Sequence, residues 1–125
     1  MAGSGSVQSV SSAQFEALIS ENEIVFLDFW AEWCGPCREF AKVYERVASQ
    51  YENQVVFAKV NIEEEGELAE IFQIRSIPHL VVFKQGIVIY SEPGSMRDSI
   101  LKELVEQAIQ ANMDEVRAEL NKDTN

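Results

Sequence analysis

The chain has 125 residues, 21 of them Asp or Glu against 10 Lys or Arg, with one His and two Cys. That length gives one domain of common size and excludes a two-domain enzyme; an apolar content of 46% is enough for one core and too much for a disordered chain. A formal charge of −11 repels phosphate, which excludes nucleic-acid binding through a basic patch and disfavours anionic membranes, and no apolar run approaches the ~20 residues of a bilayer-spanning helix.

Residues 1–6, MAGSGS, read as a flexible arm or an artificial scar outside the fold. They carry no basic region and no apolar stretch of an export signal, so the expected compartment is the cytosol. Val7 and Val10 fit the end of a short edge strand. Ser11 and Gln14 form an S-x-x-Q capping box ahead of Phe15, Leu18 and Ile19 at helical spacing. Glu21-Asn22-Glu23 ends that helix. Ile24 to Trp30 is apolar except for Asp28 and reads as a central strand buried on both faces. Glu32 to Arg38 turns into a helix whose face is Phe40, Val43, Tyr44 and Val47, running to about Gln50.

Val55 to Val60 is the next strand. Glu63-Glu64-Glu65 suits the start of a short helix and reads as a solvated acidic run, not a metal site. Leu68, Ile71 and Phe72 are the expected packing face of that helix. Leu80 to Phe83 and Ile87 to Tyr90 form a hairpin about Gln85-Gly86. Pro93-Gly94-Ser95 is a loop before a long amphipathic helix marked by Ile100, Leu101, Leu104, Val105, Ala108 and Ile109. Residues 112–125 read as a helical C-terminal extension, with Asp114 placed to cap it and Met113, Val116 and Leu120 as a stripe folded back on the body. The order of elements gives an α/β domain over residues 7–111. Its mixed central sheet of about five strands has helices on both faces, with parallel crossovers and a late antiparallel edge.

Cys34-Gly35-Pro36-Cys37 lies between the buried strand and its helix, and a C-x-x-C in that context is a redox signature. Two intervening residues let both sulfurs meet across the first helical turn. Cys34 comes first, where free N–H groups and the helix dipole favour a thiolate, and this makes it the attacking group. Cys37, a turn further in and more buried, is the resolving thiol. Pro36 has no N–H to lose at an early helical position. The rival reading is zinc. Two Cys and one His make neither a Cys₄ nor a Cys₂His₂ site within one chain, although carboxylates or a second copy could complete one.

The segment 27–38, LDFWAEWCGPCR, closely resembles the active-site segment of the thioredoxin family. The resemblance extends through Lys59-Val60-Asn61-Ile62, Ile77-Pro78, Gly86 and Gly94, and covers roughly residues 7 to 110. It implies the thioredoxin fold, with Cys34 as nucleophile, Cys37 as resolving cysteine, Asp28 as the buried proton acceptor and Lys59 beside it. It implies that Pro78 is cis, and that Trp30, Trp33, Gly35, Pro36, Ile62, Ile77 and Gly94 surround the site. Trp33 is expected exposed toward substrate and Trp30 more buried. The edge at Ile77 is expected to pair with an extended substrate segment. His79 departs from the family, which usually has Thr after that proline.

The function implied is a thiol–disulfide oxidoreductase that reduces protein disulfides through a Cys34–Cys37 pair. It would hold no bound cofactor or metal, act as a monomer in the cytoplasm, and be recycled by a flavin-dependent thioredoxin reductase drawing on NADPH. Two rivals remain at this point: an interaction or chaperone-like module whose redox activity is secondary, and an oxidase or isomerase of an oxidising compartment.

Overall fold

The apolar run Ile24–Trp30 is strand β2, and in this computed structural model, which describes residues 6–123, it is the middle of the sheet. The remaining elements in chain order are β1 (Val7–Ser9) and α1 (Ser12–Glu21) before it, then α2 (Gly35–Ala48), β3 (Val56–Asn61), α3 (Gly66–Ile71), β4 (His79–Lys84), β5 (Ile87–Pro93), α4 (Asp98–Gln110) and α5 (Met113–Asp123). The strands lie in the order β1-β3-β2-β4-β5. β1, β3 and β2 are mutually parallel, while β4 runs antiparallel to β2 and to β5. Parallel pairing is therefore confined to the first three strands. Alternation of strand and helix alone does not reveal that α3 returns the chain in the opposite direction.

Burial on both faces explains the unbroken apolar pattern of β2. Phe26 shares one buried layer with Phe40, Tyr44, Val47, Phe57, Leu80, Leu101 and Val105 on the side of α2 and α4. Val25, Leu27 and Phe29 meet Ala58, Val60, Leu68, Val81 and Phe83 on the side of α1 and α3. Edge-to-face contacts of Phe72 with Phe15 and Phe83 close the second layer. Each fully buried large side chain stabilises by roughly 1.5–3 kcal/mol, so these two layers hold the platform on which the site rests.

The capping reading holds at α1, where the Ser11 N–H donates to Gln14 Oε1 at 3.1 Å. Gln85 and Gly86 both take left-handed φ values, +53° and +78°, which is the two-residue turn a twisted hairpin favours. A bulge between Val82 and Phe83 leaves Ile89 without an opposite partner, so Ile89 and Tyr90 both pack toward α2 and α4.

Several expectations need correction. β5 continues to Pro93, so that residue closes a strand rather than opening a loop. Ile71 is 64% exposed, because the six-residue α3 covers the sheet with the single stripe of Leu68 and Phe72. Ile100 is also exposed, at the rim of a shallow groove with Tyr90, Met96 and Leu104. Asn112, not Asp114, caps α5: its Oδ1 accepts from the Glu115 N–H at 3.2 Å. Of the expected α5 stripe, Met113 is buried and Val116 lines a cavity with Val82, Ile89 and Leu104, but Leu120 is exposed. The arm expected over residues 1–6 lies outside the described residues up to residue 5, and Ser6 is tied down, its hydroxyl donating to Glu52 Oε2 at 2.5 Å.

Candidate active site

β2 delivers the chain to Ala31, and the turn that follows ends at Cys34, the N-cap of α2. Its extended backbone (φ −90°, ψ 108°) leaves the sulfur facing the first helical turn. There the Cys37 N–H donates to Cys34 Sγ at 3.1 Å, so a capping bond that a Ser or Asp oxygen usually accepts goes to sulfur. The two Cα atoms are 5.2 Å apart and the sulfurs are joined as a disulfide. Pro36 occupies an early position whose N–H would have no intrahelical partner. Free N–H groups and the positive end of the helix dipole at such a position favour negative charge on a capping atom. Both cysteines are buried, Cys37 the deeper.

Cys34, Cys37 and Ala31 form one small cluster with Trp30, Ile62 and Ile77 packed against it. Cys34 Sγ lies 3.7 Å from the Ile77 carbonyl oxygen. The Ile77–Pro78 bond is cis. The Pro78 carbonyl accepts from the Gly94 N–H at 2.7 Å, and Gly94 holds φ +112°, a region that favours glycine. A Cβ added at Gly35 would meet nothing within 4 Å, so this rim of the pair opens to solvent. Trp33 is 64% exposed, and its indole N–H donates to Glu63 Oε2 at 2.8 Å. Ile62 and Ile77 thus pack against the disulfide, Gly35 and Pro36 lie between its cysteines, Trp33 precedes Cys34, and Gly94 is bonded to Pro78, the residue after Ile77.

On β2, six residues before Cys34, Asp28 is only 3% exposed, and its Oδ1 has no hydrogen-bond partner. Burial pushes its carboxyl up to about 8, against the opposing pull of the Lys59 ammonium. Asp28 and Lys59 are register partners on β2 and β3. Lys59 appears in none of the ion pairs found among the described residues. Its Nζ instead stands 5.1 Å from the centroid of the Trp30 ring. Trp30 is half-buried, more so than Trp33, and its Nε1 is buried without a partner. On the α2 side the Tyr44 hydroxyl donates to the Ala58 carbonyl at 3.0 Å, and burial together with the Asp28 charge raises its phenol.

His79 Nε2 lies 2.9 Å from Ser91 Oγ, and burial lowers the imidazole against the pull of Glu92. Glu63 was missed as a partner of Trp33, since the acidic run reads as solvated. Within that run Glu65 Oε1 also accepts from the Ser12 N–H and hydroxyl, at 2.9 and 3.1 Å. Lys84 was missed altogether. It is 6% exposed and donates to the carbonyls of Ala108, Ile109 and Ala111 at 2.8, 2.9 and 3.0 Å. The available signal is a lone cation closing an otherwise apolar strand. No group of three or more His, Cys, Asp or Glu able to hold a metal occurs among the described residues.

A sulfur that caps a helix, with a second sulfur one turn deeper and bonded to it, is the working part of a dithiol–disulfide exchange protein. The comparisons narrow that class. The thioredoxin family model matches residues 6–111. Thioredoxin 1 of Plasmodium falciparum is 42% identical over 97 residues, covering 78% of this chain and 91% of the relative. Thioredoxin 1 of Synechococcus elongatus is 42% identical over 93 residues, covering 74% and 87%. Among solved structures, a mutant thioredoxin from Halobacterium salinarum superposes with a TM-score of 0.78 at 30% identity, over 85% of this chain and 93% of the other. The chain belongs to the thioredoxin family and is a thiol–disulfide oxidoreductase.

Proposed function

We propose that the protein reduces protein disulfides, with Cys34 as nucleophile, Cys37 as resolving thiol and Asp28 as proton acceptor. The Cys34 thiolate attacks one sulfur of the substrate disulfide; that bond breaks, and the other substrate sulfur leaves as a thiolate. Cys37 then loses its proton to the Asp28 carboxylate and attacks Cys34 Sγ. The mixed disulfide breaks, the second substrate sulfur leaves, and two electrons have passed from the pair to the substrate. The observation that carries this reading is the Cys37 N–H on Cys34 Sγ at the start of α2.

Asp28 suits its role because a carboxyl held near 8 accepts a proton from a thiol with little mismatch. Lys59 modulates it by favouring the ionised form. Trp33, Gly35, Pro36, Ile62, Ile77, Pro78 and Gly94 form the substrate surface, with the Ile77 edge pairing with an extended segment. The redox domain spans residues 7–111, and 112–125 is an added extension that carries α5. The protein works as a monomer in the cytoplasm, holds no cofactor, and is returned to the dithiol by a thioredoxin reductase using NADPH.

The test is trapping. Cys37→Ser is expected to accumulate a mixed disulfide at Cys34 with substrate proteins, and Cys34→Ser to accumulate none. Trapping at residue 37 would reverse the assignment. Full cellular function of the Cys34→Ser/Cys37→Ser protein would favour a binding module over a reductase.

A further inference from the structure

We propose that Trp30 is a positioning residue whose indole face holds the Lys59 ammonium beside Asp28. The proposal rests on the reading of Asp28 as the proton acceptor and adds to it a residue that acts only through Lys59.

Three observations place Trp30 in this role. Asp28 and Trp30 are two residues apart on β2, so they project from the same face of the sheet. Lys59 is the register partner of Asp28 on β3, the strand next to theirs. Its Nζ is 5.1 Å from the Trp30 centroid, within the range of a cation–π attraction. None of the ion pairs among the described residues holds this ammonium, which would otherwise be free to extend into the pocket next to it. That pocket is lined by Ser9, Ser11, Asn61, Glu64 and Glu65 as well as by Lys59 and Trp30. Glu64 and Glu65 would draw the charge away from Asp28. The ring opposes that movement. Trp30 also packs against the cysteine cluster, so the ring that holds the cation is itself held by the redox site.

The charged and titratable groups around Asp28 are few. Lys59 is its register partner on β3, and the Tyr44 phenol on α2 lies within reach of its charge. From β4 its register partner is Leu80, which carries no charge. Lys59 is the charge that opposes the effect of burial on Asp28, so a change in where it sits changes the carboxyl's titration.

The experiment follows the Asp28 carboxyl by carbon NMR across pH in the oxidised protein, in which neither cysteine titrates. Trp30→Leu is expected to move the midpoint up by about half a pH unit, leaving about threefold less carboxylate below it. Trp30→Phe, which keeps a ring, is expected to move it less. In a Lys59→Met background, Trp30→Leu is expected to add nothing, because the group it positions is gone. An equal shift in that background, or none in either, overturns the proposal. Should Trp30→Leu fail to fold, the unaltered protein still decides. The Lys59 ε-methylene protons are expected upfield of an exposed lysine's, shielded by the ring, and ordinary positions would refute the contact. These readouts are of titration and not of turnover. A protein whose Asp28 titrates as described yet resolves mixed disulfides independently of Asp28 would refute the acceptor reading alone.

Discussion

Replacing Asp28 by Asn removes a buried ionisable group while keeping the shape of the side chain. Its Oδ1 has no partner to lose. The carboxyl stands at about 8 in the folded protein against 3.8 in an exposed chain. Between those values the unfolded chain is ionised and the folded one holds its proton, so the folded state binds more protons and stability falls as pH rises. Below about pH 4 both states are protonated and the group costs nothing. Across the interval the loss reaches about 6 kcal/mol, and by pH 7 it is about 4 kcal/mol. Asp28→Asn is therefore expected to be close to the parent in stability at pH 4, more stable by about 4 kcal/mol at pH 7, and to gain nothing more above pH 9. Urea unfolding of both oxidised proteins at pH 4, 5.5, 7 and 9 measures this directly. A difference that stays constant with pH, or a parent that gains stability between pH 4 and 7 relative to the variant, would refute the reasoning.

Lys84→Met is expected to cost about 2–4 kcal/mol, since it takes one cation away from three carbonyls at the end of α4. Hydrogen exchange should show α5 opening first, and unchanged protection there would count against Lys84 as the clasp of the extension. Along α5 itself, Met113→Ala is expected to lose about 2 kcal/mol or more in chemical unfolding and Leu120→Ala under about 0.5, because only the first is buried. Equal losses would mean that the extension packs by its whole stripe.

The parts of this molecule that were legible in its sequence are those where one chemical type breaks a pattern. Asp28 is an acid in an apolar strand, and Cys34 and Cys37 sit at a spacing that joins two sulfurs across a first helical turn. Lys84 broke its pattern in the same way. The apolar run of its strand ends at Phe83, so in the sequence the lysine reads as part of the turn. Ile71 and Ile100 have helical spacing but lie at the flank of their stripes. Periodicity gives a face without saying how wide a strip the sheet will cover. The reversal of β4 was hidden because α3 is too short to settle direction from composition. The bond between Trp33 and Glu63 joins residues 30 apart in sequence, and no local pattern marks it. The cis state of Pro78 was expected from family resemblance alone, since a single sequence does not specify the isomer.

The central claim is that Cys34, not Cys37, carries the negative charge when the pair is reduced. Alkylation of the dithiol protein by iodoacetamide from pH 5 to 10, with the modified residue identified by mass spectrometry, tests it most directly. The account predicts modification at Cys34 alone, with a midpoint well below the value of about 8.5 for a free cysteine. A midpoint at that ordinary value, or labelling of Cys37 at an equal rate, would contradict it.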